Sequence, residues 1–167
     1  MNINLTEHTE DFPKRLEALR FLSTHAVQVG LPSNASPRNR MILAIQEHGS
    51  PIMHIPPRPV VEPALQSEET QTAMAACFLD AIKAACEGDL PAAQAALEQA
   101  GQIGADAIRA AIDEGVPPPN SSVTISGGWI YNRPAHKGVY VKGKGFDKPL
   151  YDTGELYNAF SYEITET

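Results

Sequence analysis

The stretch from Ser50 to Pro63 limits the fold of this chain most strongly, because five of its residues are proline: Pro51, Pro56, Pro57, Pro59 and Pro63. Proline lacks a backbone N–H, fixes its own φ angle and disfavours helix at the residue before it. Such a density of proline excludes both a helix and a central strand. The sequence therefore predicts a stiff, extended arm at about residues 50–63, which we call the arm.

Two alanine-rich helical patterns follow the arm. Small and apolar residues recur every three to four positions from Ala64 to Glu87 and again from Leu90 to Glu114. Between them, Gly88 is a typical helix stop and Asp89 a typical N-cap, with Pro91 in the next first turn. The many small residues on one face of the second helix permit a close approach of helices. We therefore predict an antiparallel helical hairpin.

Shorter elements lie on either side of these two features. Apolar residues between Asp11 and His25, among them Phe12, Leu16 and Leu19, predict an amphipathic helix. The other predicted elements are a strand at Ala26–Pro32, a helix at Asn39–His48 that stops at Gly49, a helix at Asp152–Ala159 and a strand at Phe160–Thr165. The expected fold is α+β, with a small antiparallel sheet packed with a long helical hairpin and short N- and C-terminal helices. We expect a single domain over residues 1–167, with a flexible Gly/Lys loop at about residues 132–148.

Charge and cysteine content restrict the environment in which this chain works. The formal net charge is −7, with a pI near 5.2, which argues against non-specific binding to DNA or to anionic membranes. Cys77 and Cys86 lie nine residues apart in one helical pattern, a spacing unsuited to a disulfide, so we expect small buried thiols in a reducing compartment. The N-terminal residues lack the features of a secretion signal, and no apolar window is long enough to span a membrane. We therefore expect a cytoplasmic product.

The residues Asp152-Thr153-Gly154 follow apolar residues, as in the signature of aspartic proteases. That chemistry needs two carboxylates that share a proton, which dimerisation would have to supply here. Too few residues follow Gly154 to build the flap and supporting strand of a protease protomer. We therefore interpret Asp152 or Thr153 as the cap of the last helix, with Gly154 at a tight turn and Leu156 in the same structural turn. An aspartic-type hydrolase that uses Asp152 is kept as an alternative.

Other candidate sites are weaker. Glu47, His48 and His54 lie near one another in sequence, but their spacing matches no common metal motif, so we expect no metal and no cofactor. The segment Lys137–Lys148 carries four lysines together with Tyr140 and Phe146, which could contact nucleic acid. A solvated loop is the preferred interpretation, and a nucleic-acid-binding module is kept as the second alternative.

The order of four short motifs provides a more specific indication. A helix ending in Glu47-His48-Gly49 leads into Ile55-Pro-Pro-Arg-Pro59, the helices follow, then Pro117-Pro-Pro119, and finally Pro149-Leu-Tyr-Asp-Thr-Gly-Glu-Leu156. In this order, over roughly residues 40–165, the chain resembles the tailed-phage tail-completion and virion-morphogenesis proteins, which are small neck or minor tail proteins. Two positions depart from the pattern of that group: Val60 stands where Phe is usual, and Ala159 or Phe160 stands where Ser is usual.

The resemblance implies a non-enzymatic virion protein that completes the head-proximal end of the tail for head–tail joining. It implies assembly with copies of itself into a ring, usually hexameric, in the tail or neck of the virion, after a stage in the host cytoplasm. The implied partners are tail-tube or tail-terminator proteins and head–tail connector proteins, with DNA passing through the lumen without specific binding. We expect the arm to be the interface, through Ile55, Pro56, Arg58, Pro59 and Val60. Arg58 is its expected charged anchor, whose guanidinium needs carboxylate or carbonyl partners outside the arm.

Overall fold

The computed structural model describes residues 11–132 and 137–167. In chain order its elements are α1 (Phe12–Thr24), β1 (His25–Gly30), α2 (Pro37–His48), α3 (Val61–Gln66), α4 (Glu68–Glu87), α5 (Leu90–Glu114), α6 (Ser122–Ser126), β2 (Gly128–Asn132), β3 (Lys137–Val141), α7 (Glu155–Ala159) and β4 (Ser161–Glu166). The predicted α+β class, with a long helical hairpin, a small antiparallel sheet and short terminal helices, is confirmed.

The chain divides into two compact units. Unit 1 contains Met1–Ala35, Val61–Ile108 and Phe160–Thr167, and unit 2 contains Ser36–Val60 and Arg109–Ala159. The expectation of a single domain stays a prediction. We describe each unit by itself.

The helical hairpin of unit 1 turns where the sequence predicts. Gly88 has a left-handed backbone, with φ of 81°, and its N–H bonds to carbonyls at the end of α4. The carboxylate of Asp89 then accepts a hydrogen bond from the N–H of Ala92 at 3.0 Å, which caps α5. Near this turn Ala18 of α1 packs with Ala85 and Ala93 in a fully buried cluster. These small side chains let the three helices approach closely.

The sheet of unit 1 joins distant parts of the sequence. β1 and β4 pair antiparallel, from His25 opposite Glu166 to Gly30 opposite Ser161. The sheet lies against α5 at two glycines, because a Cβ at Gly101 would overlap the ring of Tyr162 and a Cβ at Gly104 would lie 3.0 Å from the methyl carbons of Val29. The absence of side chains on this face of α5 therefore makes room for the sheet.

Unit 2 is built from short elements. It contains α2, which contacts α7, the last turns of α5, the short helix α6, and an antiparallel hairpin of β2 and β3. Serine side chains cap two of its helices: Ser36 accepts from the N–H of Asn39 at 3.1 Å, and Ser121 from the N–H of Thr124 at 3.3 Å.

Several predicted boundaries need correction. The predicted helix from Ala64 is divided at Ser67, whose side chain caps α4, and the last predicted arm residues form the start of α3, where Pro63 fits the first turn. The predicted flexible loop contains strand β3, and its residues 133–136 lie outside the described part of the chain. The strand β2 and the helix α6 were not predicted.

Two predictions about burial are also wrong. Helix α1 forms as predicted, but Phe12, Leu16 and Leu19 are exposed, and the small residue Ala18 is buried instead. Cys77 is buried as expected, whereas Cys86 is exposed; both thiols are free. Within residues 11–132 and 137–167, no helix combines the length and apolar character needed to cross a membrane.

Candidate functional site

The arm of unit 2 begins with a tight reversal at Gly49. This glycine ends α2 with φ of 73°, and a Cβ there would lie only 2.8 Å from the carbonyl oxygen of Ile55. Ser50 and Ile55 exchange two backbone hydrogen bonds, of 2.8 and 3.0 Å. The first part of the arm is therefore a small closed loop, and extended backbone is confined to the residues after Ile55.

Arg58 holds the extended part of the arm in place. Its Nε donates to the carbonyl of Pro118 at 2.7 Å, and one guanidinium NH₂ donates to the carbonyl of Pro119 at 3.0 Å. A longer contact of 3.4 Å reaches the side-chain oxygen of Gln46, whose backbone carbonyl also accepts from the Arg58 N–H. Arg58 is only 5% exposed. One side chain thus connects α2, the arm and the triple proline.

This geometry corrects the predicted role of Arg58. The expected carbonyl partners outside the arm are present, but they belong to the same unit, so Arg58 is an internal structural residue and not an outward-facing anchor. Val60 is also buried, and its N–H donates to the carboxylate of Glu47 at 2.9 Å. Pro56 and Pro59 are exposed and Ile55 is half-buried, so for these three residues an interface stays a prediction.

The basic segment after β3 is partly folded back on itself. Lys144 donates to the carbonyls of Lys148 and Tyr151, at 2.6 and 2.7 Å, and lies 4.9 Å from the ring centre of Phe146. Burial lowers the pKa of Lys144, although attraction by Asp152 opposes this. This ammonium therefore stabilises the loop and is not a free surface cation.

Lys148 is tied to the end of α5. Its ammonium lies 2.5 Å from Asp113 and 4.6 Å from the ring centre of Tyr151. The hydroxyl of Tyr157 donates to the same carboxylate at 2.8 Å. These two hydrogen bonds lower the pKa of Asp113, and the same carboxylate raises the pKa of Lys148 and of Tyr157. Two of the four lysines on which the nucleic-acid alternative depends thus serve internal contacts.

The turn before α7 has the predicted shape but a different cap. Gly154 has φ of 81°, and its carbonyl accepts the first helical bond, from Asn158, at 2.9 Å. The Thr153 hydroxyl accepts a long hydrogen bond of 3.4 Å from the N–H of Glu155, while Asp152 is exposed and attracts the ammonium of Lys144. Leu156 is buried. Gly154 therefore occupies the N-cap position, and neither Asp152 nor Thr153 caps α7 as predicted.

These segments enclose a groove of about 850 Å³ in unit 2. Its lining includes both aliphatic and charged side chains: Ile42, Ile55, Val123, Ile130, Val141, Leu150, Leu156, Arg38, Arg58, Lys142, Lys144, Asp152 and Glu155. His54 and Leu150 also line it, and both have a left-handed backbone, with φ of 55° and 58°. A left-handed backbone is strained in a residue other than glycine, and it persists only where the contacts around that residue hold it.

The hairpin of β2 and β3 presents large apolar side chains to solvent. Trp129, Ile130, Val139 and Tyr140 are each between 53% and 64% exposed. Trp129 and Tyr140 lie opposite each other, edge to face, with ring centres 5.7 Å apart. In the part of the chain that the structure describes, these two strands pair only with each other, so both of their outer edges are open. A pair of strands of this kind is only marginally stable by itself in water.

The structure brings some of the predicted site residues to one groove and leaves others outside it. Arg58, Asp152, Thr153, Gly154 and Leu156 line one groove, with Arg58 and Leu156 buried, whereas Gly49 ends α2 outside this lining. No group of three or more metal-binding side chains gathers among the described residues, and Glu47 is engaged by the backbone of Val60.

The sequence analysis did not predict the hairpin; the available signal was the density of aromatic and β-branched residues at Trp129–Tyr131 and Val139–Val141. Comparison of the chain with protein-family models, with curated proteins and with solved structures finds no match in any of the three.

Proposed function

We propose that this chain is a non-enzymatic structural subunit of a tailed-phage virion that completes the head-proximal end of the tail for head–tail joining. The class of protein rests on the resemblance, in order, of the four motifs around Gly49, Arg58, Pro118 and Gly154. The observation that supports an assembling subunit is the exposed β2–β3 hairpin of unit 2.

The hairpin supports assembly for a physical reason. Four large apolar side chains on two short strands are costly to leave in water, at roughly 25 cal/mol for each Å² of apolar surface. Open strand edges also offer backbone groups to another chain. Partner subunits in a ring, or the tail tube, would cover this surface, and DNA would pass through the lumen without specific contacts.

The two alternatives have less support. Asp152 is exposed, and the charge that acts on it is the ammonium of Lys144, whereas a hydrolase of the aspartic type needs a second carboxylate that shares its proton. In the Lys137–Lys148 segment, Lys144 and Lys148 are held by internal carbonyl and carboxylate partners. Fewer cations are then available to neutralise phosphates.

A genetic experiment tests the proposal. In a phage or prophage that carries this gene, the gene is deleted and supplied in trans as wild type, as Trp129→Ser/Tyr140→Ser in the hairpin, or as Met41→Ser. Met41 is a matched control, because it is an apolar residue of unit 2, 59% exposed, on a different element. Electron microscopy of the lysates then counts joined virions, free heads and free tails.

We expect the hairpin variant to accumulate filled heads and tails that remain separate, while wild type and Met41→Ser give joined virions. Normal joining with the hairpin variant would remove the observation on which assembly rests. Joined virions from the deletion strain itself would overturn the proposed function. Circular dichroism of the purified variants checks that each remains folded.

A further inference from the structure

The two units carry opposite formal charges. Unit 1 contains 14 acidic and four basic residues, for a net charge of −10, and unit 2 contains six acidic and nine basic residues, for a net charge of +3. The overall net charge of −7 conceals this asymmetry. Surfaces of opposite sign attract between copies of one chain, and the sign of each surface selects its partner.

Helix α4 of unit 1 has apolar residues on two faces. Its buried face contains Cys77, Ala81 and Ala85. On the exposed side, Leu79 is 58% and Ile82 50% exposed, and Ala75 and Cys86 continue the same row at helical spacing. We call this row, Ala75–Leu79–Ile82–Cys86, the α4 stripe. Anchors at such a spacing are typical of a helix that lies in the groove of a partner.

Charge separates the α4 stripe from the other exposed apolar row of unit 1. Helix α4 contains four acidic residues and one lysine, for a net charge of −3. Helix α1 exposes Phe12, Leu16 and Leu19, but it contains three basic residues and one acidic residue, for a net charge of +2. Of these two helices, α4 is the one that combines an exposed apolar row with a negative net charge, which the positive net charge of unit 2 attracts.

The groove of unit 2 has the complementary character. Its lining contains aliphatic residues that an apolar row can contact, with Ile42, Ile130 and Leu156 among them. Four of its charged lining residues are basic and two are acidic, and the exposed basic side chains of Arg38 and Lys142 belong to this set.

We propose that the α4 stripe of one copy docks in the groove of unit 2 of a second copy. The proposal deepens the ring assembly proposed above and rests on it. Because the two surfaces differ, each copy can offer one surface to each of two neighbours, which is a heterologous contact. Repetition of such a contact produces a ring where the rotation closes. The apolar row supplies the burial, and the acidic flanks of α4 face Arg38 and Lys142.

The test uses two full-length variants, each with one surface broken. Leu79→Asp/Ile82→Asp alters the α4 stripe, and Arg38→Glu/Lys142→Glu alters the groove. All four residues are exposed, so both variants are expected to fold, which circular dichroism and thermal melting check. Leu16→Asp/Leu19→Asp on α1 is the matched control. Native mass spectrometry and sedimentation velocity measure the assembly state over a series of protein concentrations.

We expect wild type and the α1 control to self-associate, and each broken variant to lose at least about tenfold in self-association. An equimolar mixture of the two broken variants retains one intact α4 surface and one intact groove. We therefore expect it to form a heterodimer that grows no further, which a symmetric contact between identical surfaces cannot produce.

Three results would overturn the proposal: wild type that stays monomeric at the highest concentration reached, broken variants that assemble like wild type, or a mixture that contains only monomers. The outcome is distinct from that of the genetic experiment. If hairpin variants block head–tail joining while these variants join normally, the proposed function stands and the α4 contact fails. If the deletion strain joins heads to tails, the proposed function fails whatever the assembly state.

Discussion

Units 1 and 2 are held together in different ways. In unit 1, long helices pack through alanine and glycine, and the buried cluster of Ala18, Ala85 and Ala93 consists of the smallest side chains that can form a core. In unit 2, a polar side chain has the central position: Arg58 connects α2, the arm and the triple proline by hydrogen bonds. Unit 1 is stabilised by the close packing of small side chains, and unit 2 by a few hydrogen bonds. A space-filling change should therefore damage unit 1 most, and loss of one donor should damage unit 2 most.

The largest effect is expected at Arg58. Replacement by alanine removes a buried side chain and leaves the carbonyls of Pro118 and Pro119 without their charged donor, so we expect a loss of about 2–4 kcal/mol in the free energy of unfolding. Arg58→Lys should recover only part of it, because one ammonium cannot reproduce the planar fork. Urea denaturation measures the loss, and hydrogen exchange locates it. A loss below 1 kcal/mol would mean that the arm is held by its prolines alone.

Gly101 tests the packing of unit 1. A Cβ at this position overlaps the ring of Tyr162, so Gly101→Ala should destabilise the protein by about 1–3 kcal/mol, as overpacking does. The effect is opposed by the better helix propensity of alanine, worth about 1 kcal/mol. In the Tyr162→Ala background the same change should become stabilising, which a double-mutant cycle measures by thermal melting. Additive losses would show that the cost of Gly101→Ala does not come from the ring of Tyr162.

The Asp113 cluster of unit 2 should give a smaller, pH-dependent effect. The folded state lowers the pKa of Asp113 below its usual value of 3.8, because Lys148 and Tyr157 donate to it. Its contribution to stability is therefore complete above that value and is lost as the pH falls through the folded pKa. Tyr157 behaves oppositely: its pKa lies above 10.0, so its contribution is lost at higher pH. Asp113→Asn should flatten the acid limb of a plot of stability against pH; an unchanged limb would contradict this.

Asp152 should give the smallest effect. It is exposed and does not cap α7, so Asp152→Asn and Asp152→Ala should each change stability by no more than about 0.5 kcal/mol. Both variants should also support normal virion yield in the complementation assay. Equal and complete loss of function with both proteins folded would instead favour the hydrolase. A peptide-cleavage assay of wild type with an active-site inhibitor would then decide the matter.

The sequence predicted unit 1 better than unit 2. A long helix repeats its signal many times, so both helices and the stop at Gly88 could be recognised. The sequence could not show that the apolar stripe of α1 faces solvent, because apolar spacing does not identify the neighbour that a helix packs against. Here Ala18 fits against Ala85 and Ala93, where a larger side chain would not. In unit 2, Arg58 obtains its partners about 60 residues away, which no local pattern encodes. The hairpin strands are short apolar runs between glycines, Trp129–Tyr131 and Val139–Val141, and such short runs do not by themselves distinguish a strand from a loop or helix segment.

The pairing of β1 with β4 determines the order in which the protein can fold. His25 lies opposite Glu166, and both segments of unit 2 are encoded between these strands. While the chain is being synthesised, β1 remains without its partner until all of unit 2 has been made. Closing such a long loop costs chain entropy and is slow compared with the formation of the α4–α5 hairpin. Unit 1, which contains the α4 stripe, is thus begun first and completed last.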